Sequence, residues 1–285
     1  SFKNHPAILM WSVGNESGGG EILSRVAAYF HKVDKARLVH YEGVFNDRTY
    51  SDETSDVESQ MYTPADDIEI FLKRNYDKPF ILCEYSHSMG NSNGDLMDYI
   101  RLEREQEQYQ GGFIWDFVDQ SVRWKGKNGK MIYGYGGDFN RFDASDINFC
   151  DNGLISPDRV PNPHMYEVGY FYQNIWTTLT DVAKGEVQIY NENFFRDLSA
   201  YFMEWTLVKN GIPVRNGRLE NINAAPQQRA KVNIATEFLD TFIKSTLKVY
   251  GDLNGAFVPP DKLADPVIDE CAAHVQRLIR FFAGR

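Results

Sequence analysis

The first 165 residues alternate short apolar runs with longer amphipathic segments. The apolar runs are rich in β-branched and aromatic residues, which predicts five strands: ILMWSVGNE, RLVHYEG, VESQMY, PFILCEY and GGFIWDFVDQ. The first run shows no polar alternation, so we expect it to be buried on both faces. The segments between most of the runs carry apolar residues at helical spacing, as in GEILSRVAAYFHKVDKA and GDLMDYIRLEREQEQYQ. This alternation predicts an α/β fold with a parallel sheet or part of a barrel.

The pattern changes from about Ile175 onward. The runs IWTTLTDVA, EVQIYNEN, LSAYFMEWTLVKNG and RLENINAAP are separated by turn signals such as Asn210-Gly211 and Asn216-Gly217, which predicts the antiparallel strands of a β-sandwich. The last 53 or so residues have helical periodicity, interrupted at Pro259-Pro260. We therefore predict three parts: a barrel portion over 1–165, a sandwich over 172–232, and an unassigned, helix-like tail over 233–285.

Composition excludes several classes of partner. The chain has 40 acidic and 30 basic residues and a net charge of -10, without a lysine and arginine cluster, so nucleic acid is not an expected partner. No apolar run approaches the roughly 20 residues that cross a bilayer, so we expect no membrane insertion. The three cysteines, Cys83, Cys150 and Cys271, lie far apart in no metal-ligand spacing, and their odd number argues against a disulfide framework. Cysteine usage thus favours a cytoplasmic location.

Polar or acidic residues lie at the C-terminal ends of three of the five predicted strands. They are Asn15-Glu16, then Tyr41-Glu42, then Glu84-Tyr85 with His87 just beyond. In parallel α/β folds this end of the sheet is where active sites form. Either glutamate could simply pair with a neighbouring arginine, but burying a carboxylate there is costly and chemistry explains it better. Two glutamates facing each other across a cleft are what glycoside hydrolysis requires, one as the acid and one as the ionised partner.

Four longer motifs strengthen this interpretation. HPAILMWSVGNESG, FILCEYSHSMGNSNG, QGGFIWDFVDQS, and YGGDFN followed by NFCDNGLISPDR resemble the catalytic domain of the glycoside hydrolase family two β-galactosidases, in the same order. The likeness runs from about His5 to Pro163 and continues weakly to about Gln228. It implies the second half of a (β/α)8 TIM barrel, beginning near the fourth strand, followed by an immunoglobulin-like β-sandwich.

The resemblance also implies roles for individual residues. Glu16 matches the acid/base of the family, and Asn15 matches the asparagine that contacts the sugar 2-hydroxyl. Glu84 matches the nucleophile, and His87 is similar to a histidine that binds galactose hydroxyls. Tyr62 resembles a tyrosine that hydrogen-bonds near the nucleophile and helps to keep it ionised. For the retaining reaction we expect the two carboxyl groups about 5 Å apart.

Further matches concern the sugar pocket and two metal ions. Trp115 resembles the aromatic floor of the galactose pocket, although a strand tryptophan is by default a core residue. Phe149, through its carbonyl, and Asn152 look like partners of the family's sodium ion. Glu16 also looks like one ligand of its magnesium ion. The remaining ligands lie upstream of the match in the family, as do the first three barrel strands.

The sequence therefore predicts a retaining glycoside hydrolase that releases terminal β-D-galactose from a β-galactoside substrate by double displacement. Two alternatives stay open: a truncated, non-catalytic fragment that needs complementation, and a β-glucuronidase of the same family. GNSNG and WDFVDQ favour the galactosidase. A half barrel exposes edge strands and an open core face. We thus expect a homo-oligomer, or completion of the barrel by a missing N-terminal segment.

Overall fold

The computed structural model describes residues 2–74, 77–142, 144–181, 184–209, 212–234 and 279–283. The chain divides into two compact units, Ser1–Tyr172 and Gln173–Arg285. Within the described residues, no helix is both long and apolar enough to cross a membrane.

The first unit contains the five predicted strands in order: β1 Met10–Ser12, β2 Leu38–His40, β3 Glu58–Met61, β4 Phe80–Tyr85 and β5 Tyr109–Ile114. Four helices are interleaved with them: α1 Glu21–Val33, α2 Ser51–Thr54, α3 Ala65–Leu72 and α4 Leu96–Glu105. Strand β1 pairs with β2, and β4 pairs with β3 on one side and β5 on the other, always in parallel. Parallel strands in sequential order with helical crossovers are the pattern of a partial (β/α) barrel.

A buried histidine connects the two parallel sheets. His40, at the end of β2, is hydrogen-bonded through Nδ1 to Ser12 Oγ of β1 at 3.1 Å and through Nε2 to Ser59 Oγ of β3 at 2.7 Å. The backbone also contributes, because Asp56 N donates to Val39 O at 2.9 Å. The strands β1, β2 and β3 are thus held side by side although the described residues form no ladder between β2 and β3.

The core of the first unit lies between the β3–β4–β5 sheet and its helices. The buried side chains come from α3, β4, α4 and β5, and they include Ile68, Phe80, Leu82, Leu102 and Tyr109. Each such side chain contributes about 1.5–3 kcal/mol relative to an exposed one. In α4, Leu96 and Leu102 are buried whereas all its charged residues except the half-buried Arg101 are exposed, so this helix presents an apolar face to the core.

Strand β1 is less buried than the sequence predicted. Met10 and Trp11 are half-buried, and the preceding Leu9 is 79% exposed. Among the described residues β1 has one neighbouring strand, β2, so only one of its edges is covered. The expectation that this run is buried on both faces was wrong, because it assumed a strand with neighbours on both edges.

The first unit ends with a hairpin and a short helix. Strands β6 Val122–Lys125 and β7 Met131–Gly134 pair antiparallel, and α5 spans Met165–Phe171. Val168 of α5 joins the core, and Tyr172 OH is hydrogen-bonded to Tyr85 OH at 2.6 Å. The segment just beyond residue 165 therefore packs with the barrel portion, although the predicted barrel domain ended at that residue.

In the second unit the described residues form six strands in two antiparallel sheets. Their order is β12-β9-β8 and β11-β10-β13, with β8 Ile175–Asp181, β9 Glu186–Asn191, β10 Tyr201–Lys209, β11 Ile212–Leu219, β12 Arg229–Asn233 and β13 Ile279–Ala283. In β9 the buried positions alternate with half-buried ones. Val187 and Ile189 of one sheet share a single core with Met203, Trp205 and Leu207 of the other. The predicted sandwich thus has its two layers, and its immunoglobulin-like topology stays a prediction.

Two sequence predictions in the second unit were wrong. Asn216-Gly217 forms no turn; both residues lie inside β11, where Gly217 pairs with Trp205. A Cβ on Gly217 would lie 2.4 Å from Trp205 Cζ2, so this glycine makes room for the indole ring. The end of the helix-like tail, Ile279–Ala283, is a strand that pairs with β10. A short apolar run is compatible with either a helix or a strand, and here pairing with the edge of β10 selects the strand. Asn210-Gly211, Pro259-Pro260 and most of the tail lie outside the described residues.

Candidate active site

Two hydrogen bonds join Tyr62 and Glu84 in the candidate site. In the β3–β4 register Met61 lies opposite Glu84, next to a register shift. The following residue, Tyr62, has a φ of 53° and its N donates to Glu84 O at 2.9 Å. The side chain turns back so that its OH donates to Glu84 Oε2 at 2.6 Å. The irregular end of β3 thus places a phenol donor on the predicted nucleophile.

Both predicted catalytic glutamates raise the pKa of Tyr62. Burial raises the pKa of Tyr62 well above its usual range, and the hydrogen bond to Glu84 and the charge of Glu84 raise it further. The charge of Glu16 adds a smaller contribution of the same sign. Tyr62 therefore remains a protonated donor at any working pH, and both carboxylates lie within electrostatic range of its hydroxyl group.

Glu16 lies on the loop that follows β1. Its side chain is exposed, and its backbone has a left-handed φ of 48°. Its N donates to Glu42 Oε1 in a short hydrogen bond. The neighbouring Asn15 is also exposed, and its carbonyl accepts from Ser17 Oγ at 3.2 Å. The loop therefore presents both predicted side chains to solvent.

His87 links Tyr62 to the predicted sodium-binding segment. Its ring centroid lies 5.8 Å from that of Tyr62 and 6.1 Å from that of Phe149. Met89 N donates to Nδ1 at 3.3 Å. An acceptor role for Nδ1 places the proton of a neutral ring on Nε2, which is then the nitrogen able to donate to a sugar hydroxyl.

Trp115 follows β5 directly. Its N donates to Tyr85 O at 3.4 Å, and its carbonyl accepts from Ser88 N at 2.8 Å, so the backbone around it is tied to the segment that carries Glu84 and His87. Its peptide bond to Asp116 is cis. The residue is 38% exposed, so the indole is not a core side chain, which was the default expectation for a tryptophan at a strand.

Phe149 and Asn152 are adjacent, as a shared ion would require. Asn152 is 1% exposed, and its Nδ2 donates to Phe149 O at 2.9 Å. Its buried Oδ1 has no hydrogen-bond partner in the part of the chain that the structure describes. A carbonyl and an amide oxygen are the donors that hard cations prefer, and the orphaned Oδ1 is one that an ion would satisfy. These two residues fit the sodium ion.

The family resemblance implies one magnesium ligand in this chain, Glu16. Within the described ranges, no group of three or more histidine, cysteine, aspartate or glutamate side chains is arranged to hold a metal ion. Glu16 contributes one exposed carboxylate. Magnesium usually keeps several water ligands and binds one or two carboxylates, so the magnesium role of Glu16 stays a prediction.

The sequence motifs left two carboxyl groups at the site without a role, the half-buried Asp116 and the buried Glu42. Burial raises the pKa of Asp116, and the charge of Asp119 adds to this, while His87 opposes it. Its Oδ2 accepts from Gln120 Nε2 at 2.8 Å. Glu42, 6% exposed, contacts the Glu16 loop. Glu42 could have been identified from the sequence because it lies at the end of a predicted strand, as the other candidates do. Asp116 could have been identified because it belongs to the WDF motif.

The structure thus brings most of the predicted residues together. Tyr62 donates a hydrogen bond to Glu84 and its ring lies beside that of His87. The charge of Glu16 raises the pKa of Tyr62. Trp115 is attached to the same segment through its backbone. The carboxyl separation of about 5 Å stays a prediction, as do the sugar contacts of Asn15.

Comparison with known proteins confirms the resemblance seen in the motifs. Residues 1–177 match the family described as "Glycosyl hydrolases family 2, TIM barrel domain", and residues 187–253 match "Beta-galactosidase, domain 4". A β-galactosidase of Halalkalibacterium halodurans is 48% identical over 226 residues, 79% of this chain and 22% of that protein. A "Beta-galactosidase large subunit" of Latilactobacillus sakei is 47% identical over 173 residues, 60% of this chain and 28% of that protein.

The chain spans only about a quarter of the length of these two relatives. Among solved structures, a β-glucuronidase of Parabacteroides merdae aligns with a TM-score of 0.37 at 12% identity, over 81% of this chain and 33% of that one. Such a low score carries no argument for a glucuronidase.

Proposed function

Since the chain belongs to glycosyl hydrolase family 2, we propose that it supplies the catalytic carboxylates of a retaining β-galactosidase. The observation that carries this proposal is the hydrogen bond from Tyr62 OH to Glu84 Oε2 at 2.6 Å. This hydrogen bond orients a carboxyl group at the C-terminal end of a parallel strand, the edge of the sheet where active sites of such folds lie. The substrate class follows from the β-galactosidase relatives.

The reaction proceeds in two displacements. In the first, Glu84 attacks the anomeric carbon, the bond from that carbon to the aglycone oxygen breaks, and Glu16 gives its proton to the departing oxygen. Because Tyr62 engages Oε2, we assign the attack to Oε1. In the second displacement Glu16 takes a proton from water, the water oxygen bonds to the anomeric carbon, and Glu84 leaves. Two inversions give net retention.

The remaining residues bind the sugar in this proposal. His87 donates from Nε2 to galactose hydroxyls, and Asn15 contacts the 2-hydroxyl. Trp115 offers the face of a partly exposed indole to the apolar side of the ring. When bound, a sodium ion would supply a fixed positive charge near the galactose hydroxyls, held in part by the Phe149 carbonyl and the Asn152 amide oxygen. The magnesium role of Glu16 stays a proposal that rests on the family likeness.

We extend the proposal to architecture and assembly. The second unit is proposed to be an immunoglobulin-like sandwich, on the strength of its two antiparallel sheets around one core. The half barrel is proposed to be completed by upstream residues of the same protein or by another copy or chain, because β1 has a single neighbouring strand within the described residues.

Hydrolysis of a chromogenic β-galactoside tests the function. The chain is assayed alone and with an added fragment that carries the upstream half of a family barrel, with a chromogenic β-glucuronide as the competing substrate. The proposal expects galactoside hydrolysis that the fragment increases and that Glu84→Gln abolishes. Absence of hydrolysis under both conditions would favour a non-catalytic fragment, and faster glucuronide hydrolysis would favour a glucuronidase.

A further inference from the structure

Two consecutive residues after β2, Tyr41 and Glu42, enclose the loop that carries Glu16. Tyr41 is fully buried and Glu42 is 6% exposed. Neither has a part in the double displacement described above. Both side chains point at backbone atoms of the same short segment, residues 14–18.

Glu42 holds the backbone of Glu16. Its Oε1 accepts from Glu16 N, and its Oε2 is buried without a hydrogen-bond partner among the described residues. Glu16 adopts a φ of 48°, a left-handed conformation that a residue with a Cβ rarely takes without outside support. The side-chain oxygen of Glu42, which accepts from the Glu16 N–H, supplies that support.

Tyr41 fixes the remainder of the loop. Its OH donates to Ser17 O at 2.5 Å and lies 2.9 Å from Gly18 O. A Cβ on Gly14 would lie 3.1 Å from Tyr41 Cε2, and one on Gly43 would lie 2.3 Å from Tyr41 Cζ. The phenol ring therefore fits closely against glycines on both sides. Its position is set by packing, so its hydroxyl group can act as a rigid donor.

We propose that Glu42 is a positioning residue for the acid/base Glu16: its carboxylate holds the left-handed backbone from which the Glu16 side chain reaches the aglycone oxygen, with Tyr41 holding the following turn. This inference rests on the proposed function for its catalytic consequence. The hydrogen bond itself can be measured without any substrate.

The catalytic consequence depends on the leaving group. A poor leaving group needs the proton of Glu16, whereas an activated one such as dinitrophenolate departs without it, and general acid assistance is commonly worth about 10²–10⁴ in rate. A misplaced Glu16 should therefore slow phenyl β-galactoside more than 2,4-dinitrophenyl β-galactoside. The value of kcat/KM reports the first displacement, so it isolates the acid role from the later base role.

Three variants separate positioning from general damage. Glu42→Leu removes the acceptor, while Glu42→Gln keeps an oxygen of the same reach. Glu58→Gln is the matched control, because Glu58 is 1% exposed and hydrogen-bonded to Arg48 and Gln60 rather than to the Glu16 loop. Amide hydrogen exchange at Glu16 is followed by NMR in the 285-residue chain, and kcat/KM is measured on both galactosides with the upstream fragment present.

In Glu42→Leu we expect exchange at Glu16 N to be at least about tenfold faster, and the dinitrophenyl-to-phenyl ratio of kcat/KM to rise at least about tenfold. Glu42→Gln and Glu58→Gln should stay within about threefold of the parent in both. An unchanged rate of amide exchange at Glu16 in Glu42→Leu would overturn the inference, whatever the activity of the variant. Faster exchange together with an unchanged dinitrophenyl-to-phenyl ratio of kcat/KM would overturn it as well. If the parent hydrolyses neither galactoside, the proposed function fails, and the catalytic consequence fails with it.

Discussion

Replacing His40 by glutamine should change how the stability of the first unit depends on pH. His40 is 7% exposed and is hydrogen-bonded to Ser12 and Ser59. Burial lowers the pKa of its imidazole from 6.5 to about 4. Glutamine also offers a donor and an acceptor, so it can replace both hydrogen bonds without a titrating group.

The direction follows from where the proton binds. Between pH 6.5 and about 4 the unfolded chain binds a proton that the folded chain does not, so the free energy of unfolding falls as the pH is lowered. With these two pKa values the loss between pH 7 and pH 4.5 is roughly 2.5 kcal/mol. Above pH 7 the contribution is constant, and below pH 4 it is fully lost.

Urea unfolding at pH 7 and at pH 4.5 measures this contribution. Other groups also titrate in the window, so the useful quantity is the difference between the variant and the parent. We expect His40→Gln to lose about 2 kcal/mol less than the parent between the two pH values. The matched control is His5→Gln, which replaces an exposed histidine and should keep the pH dependence of the parent. Equal losses in His40→Gln and the parent would show that His40 is not a buried neutral group.

Three further predictions concern the site and the second unit. Tyr62→Phe removes the donor to Glu84 Oε2 and should lower kcat about 10–1,000-fold with unchanged folding, measured on a chromogenic galactoside; an unchanged kcat would contradict its role. The 285-residue chain alone should hydrolyse the galactoside at least about a thousandfold more slowly than with its upstream half, and a monomer within tenfold would refute the half barrel. Gly217→Ala should destabilise the second unit by about 1–3 kcal/mol in urea, because its Cβ would overlap Trp205; a neutral effect would contradict that packing.

Local patterns predicted the strand order and the residues at strand ends. Short apolar runs between amphipathic segments were sufficient for β1 to β5, because period and length distinguish strand from helix there. Glu84 lies near the end of β4 and Tyr62 follows the neighbouring β3, and parallel pairing brings such positions to one edge of the sheet. The family motifs then supplied their roles, which spacing alone could not have done.

Long-range contacts account for what the sequence did not predict. Asn216-Gly217 has the composition of a turn, yet Trp205 packs where a side chain on residue 217 would lie, so that position needs a glycine. The contact of Glu42 with Glu16 spans 26 residues and involves a backbone N–H, which has no sequence signature. The strand at Ile279–Ala283 depends on the edge of β10, and an apolar segment of that length carries no periodicity that selects strand over helix.

The central claim is that Glu84 forms a covalent bond with the sugar, and trapping that intermediate tests it most directly. A 2-deoxy-2-fluoro-β-galactoside with a good leaving group slows both displacements, because the fluorine destabilises an oxocarbenium-like transition state. The chain with its upstream fragment is incubated with this reagent, digested and analysed by mass spectrometry. The account predicts one fluorogalactosyl group, as an ester of Glu84 and absent in Glu84→Gln. A label on another carboxylate, or turnover of ordinary galactoside by Glu84→Gln at a tenth of the parent rate, would contradict it.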